Sequence, residues 1–423
     1  MPEAVADSLR PVSGAVHRRG GKKLFRMAIS SVTSPQLGAG HTHGMTRRSW
    51  WLVAGATLAV LAACGSGTRP GASSRAPHYA PAPSYVVAIP VPAPRPPALD
   101  RSPVGLRQQI AALVRGFPGK AGVAIRAVDE GWTVEAGGRM RMPQQSVSKL
   151  WVAITVLDQR DRGRIRLDDP VTITRGDLTL FHQPIAGMVA KSGAYTTTVG
   201  QLMFRALTQS DNTASDRLLT LVGGPSAVRA MIEDKRLGDI RFGPGERLLQ
   251  SGTAGLVWQQ SMSVGNSFEI ARSRLSPEVR AAAFQRYVND PVDGAAPLAI
   301  ADALARLARG ELLSETSTRL LLSTMSSTVT GRARLKAALP AGWELAHKTG
   351  TGQELLRRNA GFNDVGLMTA PDGRRYAIAV MIGDTAAPMR DRQRLIQNAA
   401  AALTGFRGAP AMAGGSDEGE AGS

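Results

Sequence analysis

The stretch GFNDVGLMTAPDGRRYAIAVMI, residues 361–382, decides the fold. Two apolar runs, Gly361 to Thr369 and Tyr376 to Ile382, flank the sequence Ala370-Pro371-Asp372-Gly373. Proline presets φ at the second position of a turn and glycine suits its end, so this stretch predicts a β-hairpin. A third strand pattern, Trp343 to Lys348, precedes the hairpin.

Further strand patterns lie far upstream, near the start of the folded region. Gly122 to Val128 and Trp132 to Glu135 are joined by Asp129-Glu130-Gly131 and predict a second hairpin. The long middle has mainly helical periodicity, and helices are predicted at Val104 to Val114 and Met389 to Leu403. We therefore expect an α+β fold. It has an antiparallel five-stranded sheet flanked by helices and a second, helical lobe, with a site in the cleft between them.

Composition divides the 423-residue chain into a folded domain and flanking segments. The predicted segments are a leader extension at 1–44, a lipoprotein-type signal peptide at 45–64, a Pro/Ala-rich tether at 65–98, the catalytic domain at 99–407 and a disordered tail at 408–423. The net charge of +18 would suit nucleic acid. Its Lys and Arg residues are spread without a basic block interleaved with aromatics, so we predict no nucleic-acid partner.

The segment before Cys64 has the features of an export signal. A basic start is followed by the apolar run Trp50 to Ala63, which is short for a membrane span. Leu61-Ala62-Ala63-Cys64 resembles a bacterial lipoprotein box, so we predict lipidation at Cys64 and an exported, periplasmic protein held at a membrane. A plain secretory signal is the alternative. Cys64 is the chain's one cysteine, so the exported domain contains no internal disulfide.

Three short motifs carry the chemistry. In Ser146-Val147-Ser148-Lys149 a hydroxyl and an amine lie one helical turn apart, where the amine can activate the hydroxyl as a nucleophile. Ser210-Asp211-Asn212 offers a hydroxyl and an amide between helices, although the same residues also suit a helix cap. Lys348-Thr349-Gly350 follows a strand and can bind a carboxylate, or simply end that strand in a turn.

Together and in this order, the three motifs resemble the Ser-x-x-Lys, Ser-Asp-Asn, Lys-Thr-Gly set of class A β-lactamases and penicillin-binding proteins. The resemblance runs from about Leu99 to Leu403 and includes Leu221-Val222-Gly223-Gly224-Pro225. It implies a serine hydrolase that opens the β-lactam ring of antibiotics through an acyl-enzyme. The six histidines are scattered, so we expect no metal and no cofactor, and we expect a monomer. A D-alanyl-D-alanine peptidase, or a penicillin-binding sensor with little turnover, remains an alternative.

The resemblance also implies a role for each matching residue. Ser146 attacks the lactam carbonyl, Lys149 is its general-base partner, and Ser210 passes a proton to the leaving nitrogen. The substrate is bound by Asn212, Lys348, Thr349, Gly350 and Thr351, and the oxyanion hole is formed by the backbone N–H groups of Ser146 and Thr351.

Release of the acyl group depends on a loop that departs from the family pattern. Glu246 resembles the glutamate that activates the hydrolytic water, with Gln250 in place of the usual asparagine. Pro244 replaces an arginine that usually closes the neck of the loop, although Asp293 fits that arginine's partner. The segment at 251–296, here called the enlarged loop, is much longer than in typical members. Its acidic residues Glu269 and Glu278 are alternative bases.

Overall fold

A computed structural model describes residues 102–406. The predicted leader, signal peptide, tether and tail, together with Cys64, lie outside the described residues. Within 102–406 no helix has both the length and the apolar character needed to cross a membrane.

The described chain alternates short strands with helices. The strands are β1 (Lys120–Ala127), β2 (Thr133–Ala136), β3 (Met142–Pro143), β4 (Pro170–Thr174), β5 (Ala194–Thr198), β6 (Gly294–Ala295), β7 (Glu344–Thr351), β8 (Glu354–Leu355), β9 (Arg358–Asn359), β10 (Phe362–Thr369) and β11 (Arg375–Asp384). The α-helices are α1 (Val104–Arg115), α2 (Lys149–Asp161), α3 (Ile185–Ser192), α4 (Val199–Thr208), α5 (Asn212–Leu221), α6 (Gly224–Asp234), α7 (Glu246–Thr253), α8 (Ser267–Ser273), α9 (Pro277–Asn289), α10 (Pro297–Ala308), α11 (Glu315–Ser326) and α12 (Met389–Gly405). Short 3₁₀ turns occur at Gln145–Ser148, Arg175–Asp177, Gln260–Ser263 and Leu335–Ala338.

Five strands form one antiparallel sheet in the order β2-β1-β11-β10-β7. The α+β prediction is confirmed, including the split of the sheet in sequence around a helical segment. The hairpin between β10 and β11 closes where Gly373 N–H donates to the carbonyl of Ala370 at 2.9 Å. Strand β7 runs three residues further than the predicted Lys348 end, so Lys348-Thr349-Gly350 is itself part of the strand.

The central strand β11 is buried on both faces, which explains why its sequence is continuously apolar. Ile378, Val380 and Ile382 belong to the core that α1 and α12 complete on one side of the sheet. Ala379 and Met381 face the larger core of the helical lobe. Helix α10 packs there on β1 and β11.

Helix α2 is the central helix of the second lobe. Every residue from Lys149 to Leu157 is buried, so the helix is surrounded by other elements. Trp151 is fully buried, and its indole N–H donates to Gln144 Oε1 at 2.6 Å. This packing fixes the first turn of α2, and therefore the position of the preceding serine, against the edge of the sheet at β7.

Candidate active site

Ser146 and Lys149 lie together at the start of α2. Ser146 is in the 3₁₀ turn that leads directly into the helix, so it is not part of the α-helix itself. The predicted one-turn spacing nevertheless holds, because Lys149 Nζ lies 2.8 Å from Ser146 Oγ. The lysine is 1% exposed, whereas the serine is half-buried and borders a cavity.

The Lys149 ammonium is held by two more partners. It donates to Asn212 Oδ1 at 2.9 Å and forms a buried ion pair with Glu246 Oε1. The Asn212 amide is oriented in turn by a bond from its Nδ2 to the carbonyl of Leu180 at 2.8 Å. A buried ammonium is stable only when it is paired and hydrogen-bonded, and both conditions are met here.

Ser210 and Lys348 form a second hydroxyl–amine pair. Lys348 Nζ donates to Ser210 Oγ at 2.9 Å, although 138 residues separate them in the chain. Ser210 has a left-handed backbone with φ of 59°, which turns its side chain out of the α4–α5 junction. Burial and the nearby Lys149 charge lower the pKa of Lys348 well below its ordinary value. This pair can therefore exchange a proton with a bound group more readily than exposed residues could.

The two interpretations of Ser210-Asp211-Asn212 both describe the structure. Asp211 is the N-cap of α5, where its carboxylate accepts from Ala214 N–H at 2.9 Å. The other carboxylate oxygen accepts from Ile185 N–H at 2.8 Å. Capping by Asp211 thus leaves its neighbours Ser210 and Asn212 available at the site.

The last residues of β7 form one wall of the site. Thr349 Oγ1 lies 2.8 Å from Thr330 Oγ1, and Thr351 borders the same cavity as Ser146. Gly350 is required by packing, because a Cβ atom there would lie 2.4 Å from the Gln144 carbonyl oxygen. The strand therefore approaches the nucleophile turn more closely than any larger residue would allow.

Arg334 is a site residue that the sequence interpretation missed. Its guanidinium donates to the carbonyls of Gly350 at 2.9 Å and Asn363 at 2.6 Å, and to Thr351 Oγ1 at 2.5 Å. Burial lowers its pKa to about 10, so it is still cationic at neutral pH. Local sequence does not distinguish it from Arg332, which is exposed. A buried guanidinium cation near Lys348 strengthens the site's affinity for an anion.

Glu246 begins helix α7 inside the cavity. Its backbone N–H donates to Asp216 Oδ1 at 2.7 Å, which fixes the first turn of the helix. Burial and the Glu246 charge raise the pKa of Asp216. One turn further on, Gln250 Nε2 lies 3.3 Å from Glu246 Oε2. The residue that replaces the family's asparagine therefore still contacts the glutamate.

The alternative bases lie elsewhere. Glu269 is exposed and borders a separate cavity of about 790 Å³ that also contains Phe268 and Met262. Glu278 is exposed on the first turn of α9. Neither borders the cavity that contains Ser146. Of the three acidic residues considered, Glu246 is the one placed beside the nucleophile.

Asp293 has a different partner from the one the family pattern supplies. Its carboxylate accepts from Tyr287 OH at 3.0 Å and from Gln145 N–H at 2.9 Å. Tyr287 belongs to α9 in the enlarged loop. Burial raises the pKa of Asp293 to about 6. The end of the loop is thus attached to the residue that precedes the nucleophile.

These groups surround a cavity of about 340 Å³, a size suited to a small molecule. It is lined by Ser146, Phe181, His182, Ser210, Asn212, Glu246, Gln250, Thr330, Gly331, Arg334, Thr349, Thr351, Gly352 and Gln353. Among residues 102–406 no group of three or more His, Cys, Asp or Glu side chains is arranged to hold a metal ion. A serine activated by a buried lysine, with a carboxylate on one side and cations on the other, is equipped for acyl transfer to an anionic substrate.

The fold and this site together define an active-site serine hydrolase. The family model described as the beta-lactamase enzyme family matches residues 105–406. The chain therefore belongs to the β-lactamase enzyme family, and the predicted class A resemblance is confirmed.

Individual relatives agree with this assignment. The extended-spectrum β-lactamase PER-1 of Pseudomonas aeruginosa is 32% identical over 297 residues, covering 70% of this chain and 85% of that protein. β-Lactamase CTX-M-25 of Escherichia coli is 30% identical over 299 residues, covering 70% and 87%. A β-lactamase from Chitinophaga pinensis of known structure superposes with a TM-score of 0.57 at 28% identity, covering 70% of this chain and 97% of that one.

Proposed function

We propose that this chain hydrolyses β-lactams through an ester on Ser146 and so confers antibiotic resistance. The observation that carries the proposal is the buried cluster in which Lys149 contacts both the Ser146 hydroxyl and the Glu246 carboxylate. One carboxylate is thereby within reach of the acylated serine. Family membership and the relatives' names support the same reaction.

Acylation begins at the Ser146 oxygen. Lys149 can take the Ser146 proton once its own extra proton has passed to the paired Glu246. The serine oxygen bonds to the lactam carbonyl carbon, and the carbonyl oxygen takes up the negative charge beside the backbone N–H groups of Ser146 and Thr351. The ring C–N bond then breaks, and the nitrogen receives a proton through Ser210, which Lys348 holds at 2.9 Å.

The opposite wall recognises the substrate. Thr349 and Thr351 line the cavity from β7, and the fully buried Lys348 lies behind Ser210. We assign these residues, with Arg334, to the recognition of the carboxylate that penicillins and cephalosporins carry. Asn212 binds the amide of the acyl side chain. We assign the substrate-approach role of Gly350 to its backbone, since it has no side chain to offer.

Deacylation separates a lactamase from a protein that penicillin merely blocks. Once Glu246 has returned the shared proton to Lys149, we assign it as the base that takes a proton from water as the water oxygen attacks the ester carbon; the ester C–O bond then breaks and that proton passes to Ser146 Oγ. Changing Glu246 to Gln keeps its size but removes the base. Acylation of the Glu246→Gln variant should be slowed, because Lys149 loses its proton acceptor, but deacylation should be slowed more. The variant should therefore accumulate an acyl-enzyme with one equivalent of a chromogenic cephalosporin, detected as a mass increase of the intact protein. Glu269→Gln is the matched control and should turn over normally.

The wild-type time course tests the proposed reaction against its alternatives. Many turnovers per molecule support a lactamase. A single stoichiometric burst would contradict it and indicate a penicillin-binding sensor. Release of D-alanine from a peptide ending in D-alanyl-D-alanine, without cephalosporin turnover, would indicate a peptidase.

For the region before the described residues we propose export and a lipid anchor at Cys64. The apolar run and the Leu-Ala-Ala-Cys sequence support it. Wild type should enter the detergent phase after export, whereas Cys64→Ser should remain in the aqueous phase; equal partitioning of the two would contradict the anchor.

We also propose a monomer, which sedimentation of the full-length protein tests.

A further inference from the structure

Tyr287 joins the enlarged loop to the centre of the active site. It lies on α9 and is 7% exposed, within a small core that also contains Phe284, Val288 and Leu249. Its hydroxyl contacts two polar side chains that are each 1% exposed, Asp293 and Gln145. Gln145 immediately precedes the nucleophile, so a residue of the insertion is one hydrogen bond from the nucleophile turn.

The hydrogen bonds around Tyr287 have a fixed direction. The ionised Asp293 carboxylate can only accept, so the Tyr287 hydroxyl must donate to it, at 3.0 Å. The hydroxyl oxygen then accepts from Gln145 Nε2 at 2.7 Å. Burial and the Asp293 charge raise the pKa of Tyr287 well above its ordinary value, so the hydroxyl keeps its proton.

The direction continues through two amides to the catalytic carboxylate. Because Gln145 Nε2 is used by Tyr287 and by the carbonyl of Ala360 at 3.1 Å, the Oε1 end of Gln145 faces Gln250. That oxygen accepts from Gln250 Nε2 at 3.1 Å, and the same Nε2 lies 3.3 Å from Glu246 Oε2. The Glu246 carboxylate therefore meets an N–H group of Gln250 and not its carbonyl oxygen.

We propose that Tyr287 is a positioning residue for deacylation, which orients the Gln145 and Gln250 amides so that Glu246 is held where it can activate water. The proposal rests on Glu246 as the deacylating base. Without the hydroxyl, Gln145 Nε2 loses its 2.7 Å acceptor and keeps the Ala360 carbonyl at 3.1 Å, so the orientation of the amide is held less firmly. Gln250 Nε2 then has a less firmly placed acceptor, and the bond from Gln353 Nε2 to Gln250 Oε1 at 3.0 Å is left to oppose a flip that would turn the Gln250 carbonyl oxygen toward the Glu246 carboxylate. Acylation uses Ser210 and the ion pair between Lys149 and Glu246 Oε1, whereas this chain of bonds ends on the other carboxylate oxygen, Glu246 Oε2.

Tyr287→Phe in the full-length protein tests the proposal, because it removes the hydroxyl and keeps the ring in its core. Since kcat/KM covers only the steps up to acylation, slow deacylation lowers kcat and KM together. We expect both to fall by roughly 10-fold or more, the effect of one unsatisfied buried hydrogen bond, with kcat/KM within about twofold. Acyl-enzyme should accumulate during turnover.

Phe284→Leu is the matched control. It loosens the same helix without touching the hydrogen bonds, so it should lower the melting temperature but leave kcat and KM unchanged. Asp293→Asn is a second variant that keeps Tyr287. The backbone N–H of Gln145 needs an acceptor, so the asparagine carbonyl oxygen faces Gln145 and the asparagine NH₂ group faces Tyr287. The asparagine then donates to the Tyr287 hydroxyl, whereas the aspartate accepts from it. It should reproduce the joint fall in kcat and KM.

The outcomes separate this proposal from the assignment of the base. If Glu246→Gln does not accumulate acyl-enzyme, the base assignment fails. If Glu246→Gln does accumulate it, while Tyr287→Phe and Asp293→Asn deacylate within twofold of wild type, only the positioning role of Tyr287 is overturned. Equal kinetic changes in Phe284→Leu would also overturn it, because loosening of the helix would then suffice.

Discussion

Replacing Asp293 by asparagine is expected to change how the stability of the fold depends on pH. The Asp293 carboxyl is 1% exposed and accepts bonds from Gln145 and Tyr287. Burial outweighs those bonds and raises its pKa from 3.8 to about 6. The folded protein therefore keeps this proton to a higher pH than the unfolded chain does.

The sign and size follow from that difference. Between the two pKa values the unfolded chain ionises while the folded protein stays protonated, so the free energy of unfolding falls as pH rises. About 2 pKa units correspond to roughly 3 kcal/mol, lost mainly between about pH 4 and pH 6. Asparagine has no such proton. The stability of Asp293→Asn relative to wild type should therefore increase by about 3 kcal/mol across this range.

Urea denaturation followed by circular dichroism at half-unit steps from about pH 4 to pH 7.5 measures this difference. Asp290→Asn, at an exposed carboxyl three residues earlier, controls for the same chemical change at the surface. Parallel stability curves for wild type and Asp293→Asn would refute the argument. So would a relative loss of stability in Asp293→Asn as pH rises.

Two further substitutions test the wall formed by β7. Arg334→Lys keeps a positive charge but loses the planar guanidinium that reaches three acceptors. In steady-state assays, kcat/KM for a carboxylate-bearing β-lactam should therefore fall about 10- to 100-fold. The control Arg332→Lys, at an exposed position, should leave kcat/KM unchanged. Gly350→Ala places a Cβ 2.4 Å from the Gln144 carbonyl oxygen and should cost about 1–3 kcal/mol in urea denaturation. Gly105→Ala, in α1 and with no atom within 4 Å of the added Cβ, should be neutral or slightly stabilising.

The sheet and the three motifs could be predicted from sequence because their signals are local. The hairpin of β10 and β11 needs only two apolar runs and a turn, and Ser146 and Lys149 lie three residues apart. Arg334 and Tyr287 carry no such signal. Arg334 matters because its guanidinium binds Gly350 and Thr351 of β7. Tyr287 matters because α9 brings its hydroxyl to Gln145, which is 142 residues earlier in the chain. Contacts between distant segments are decided by packing, which no local pattern records.

The enlarged loop is fixed at both ends, which explains how a long insertion coexists with a small catalytic cavity. Just before it, Asp216 accepts from the backbone N–H of Glu246 at 2.7 Å, and near its end Asp293 accepts from the backbone N–H of Gln145 at 2.9 Å. The entropy cost of closing a loop grows only slowly with length, so residues added between fixed ends cost little. The inserted helix α9 then returns Tyr287 to the site. Deletions within the loop should therefore preserve the chemistry as long as α9 and both attachments remain.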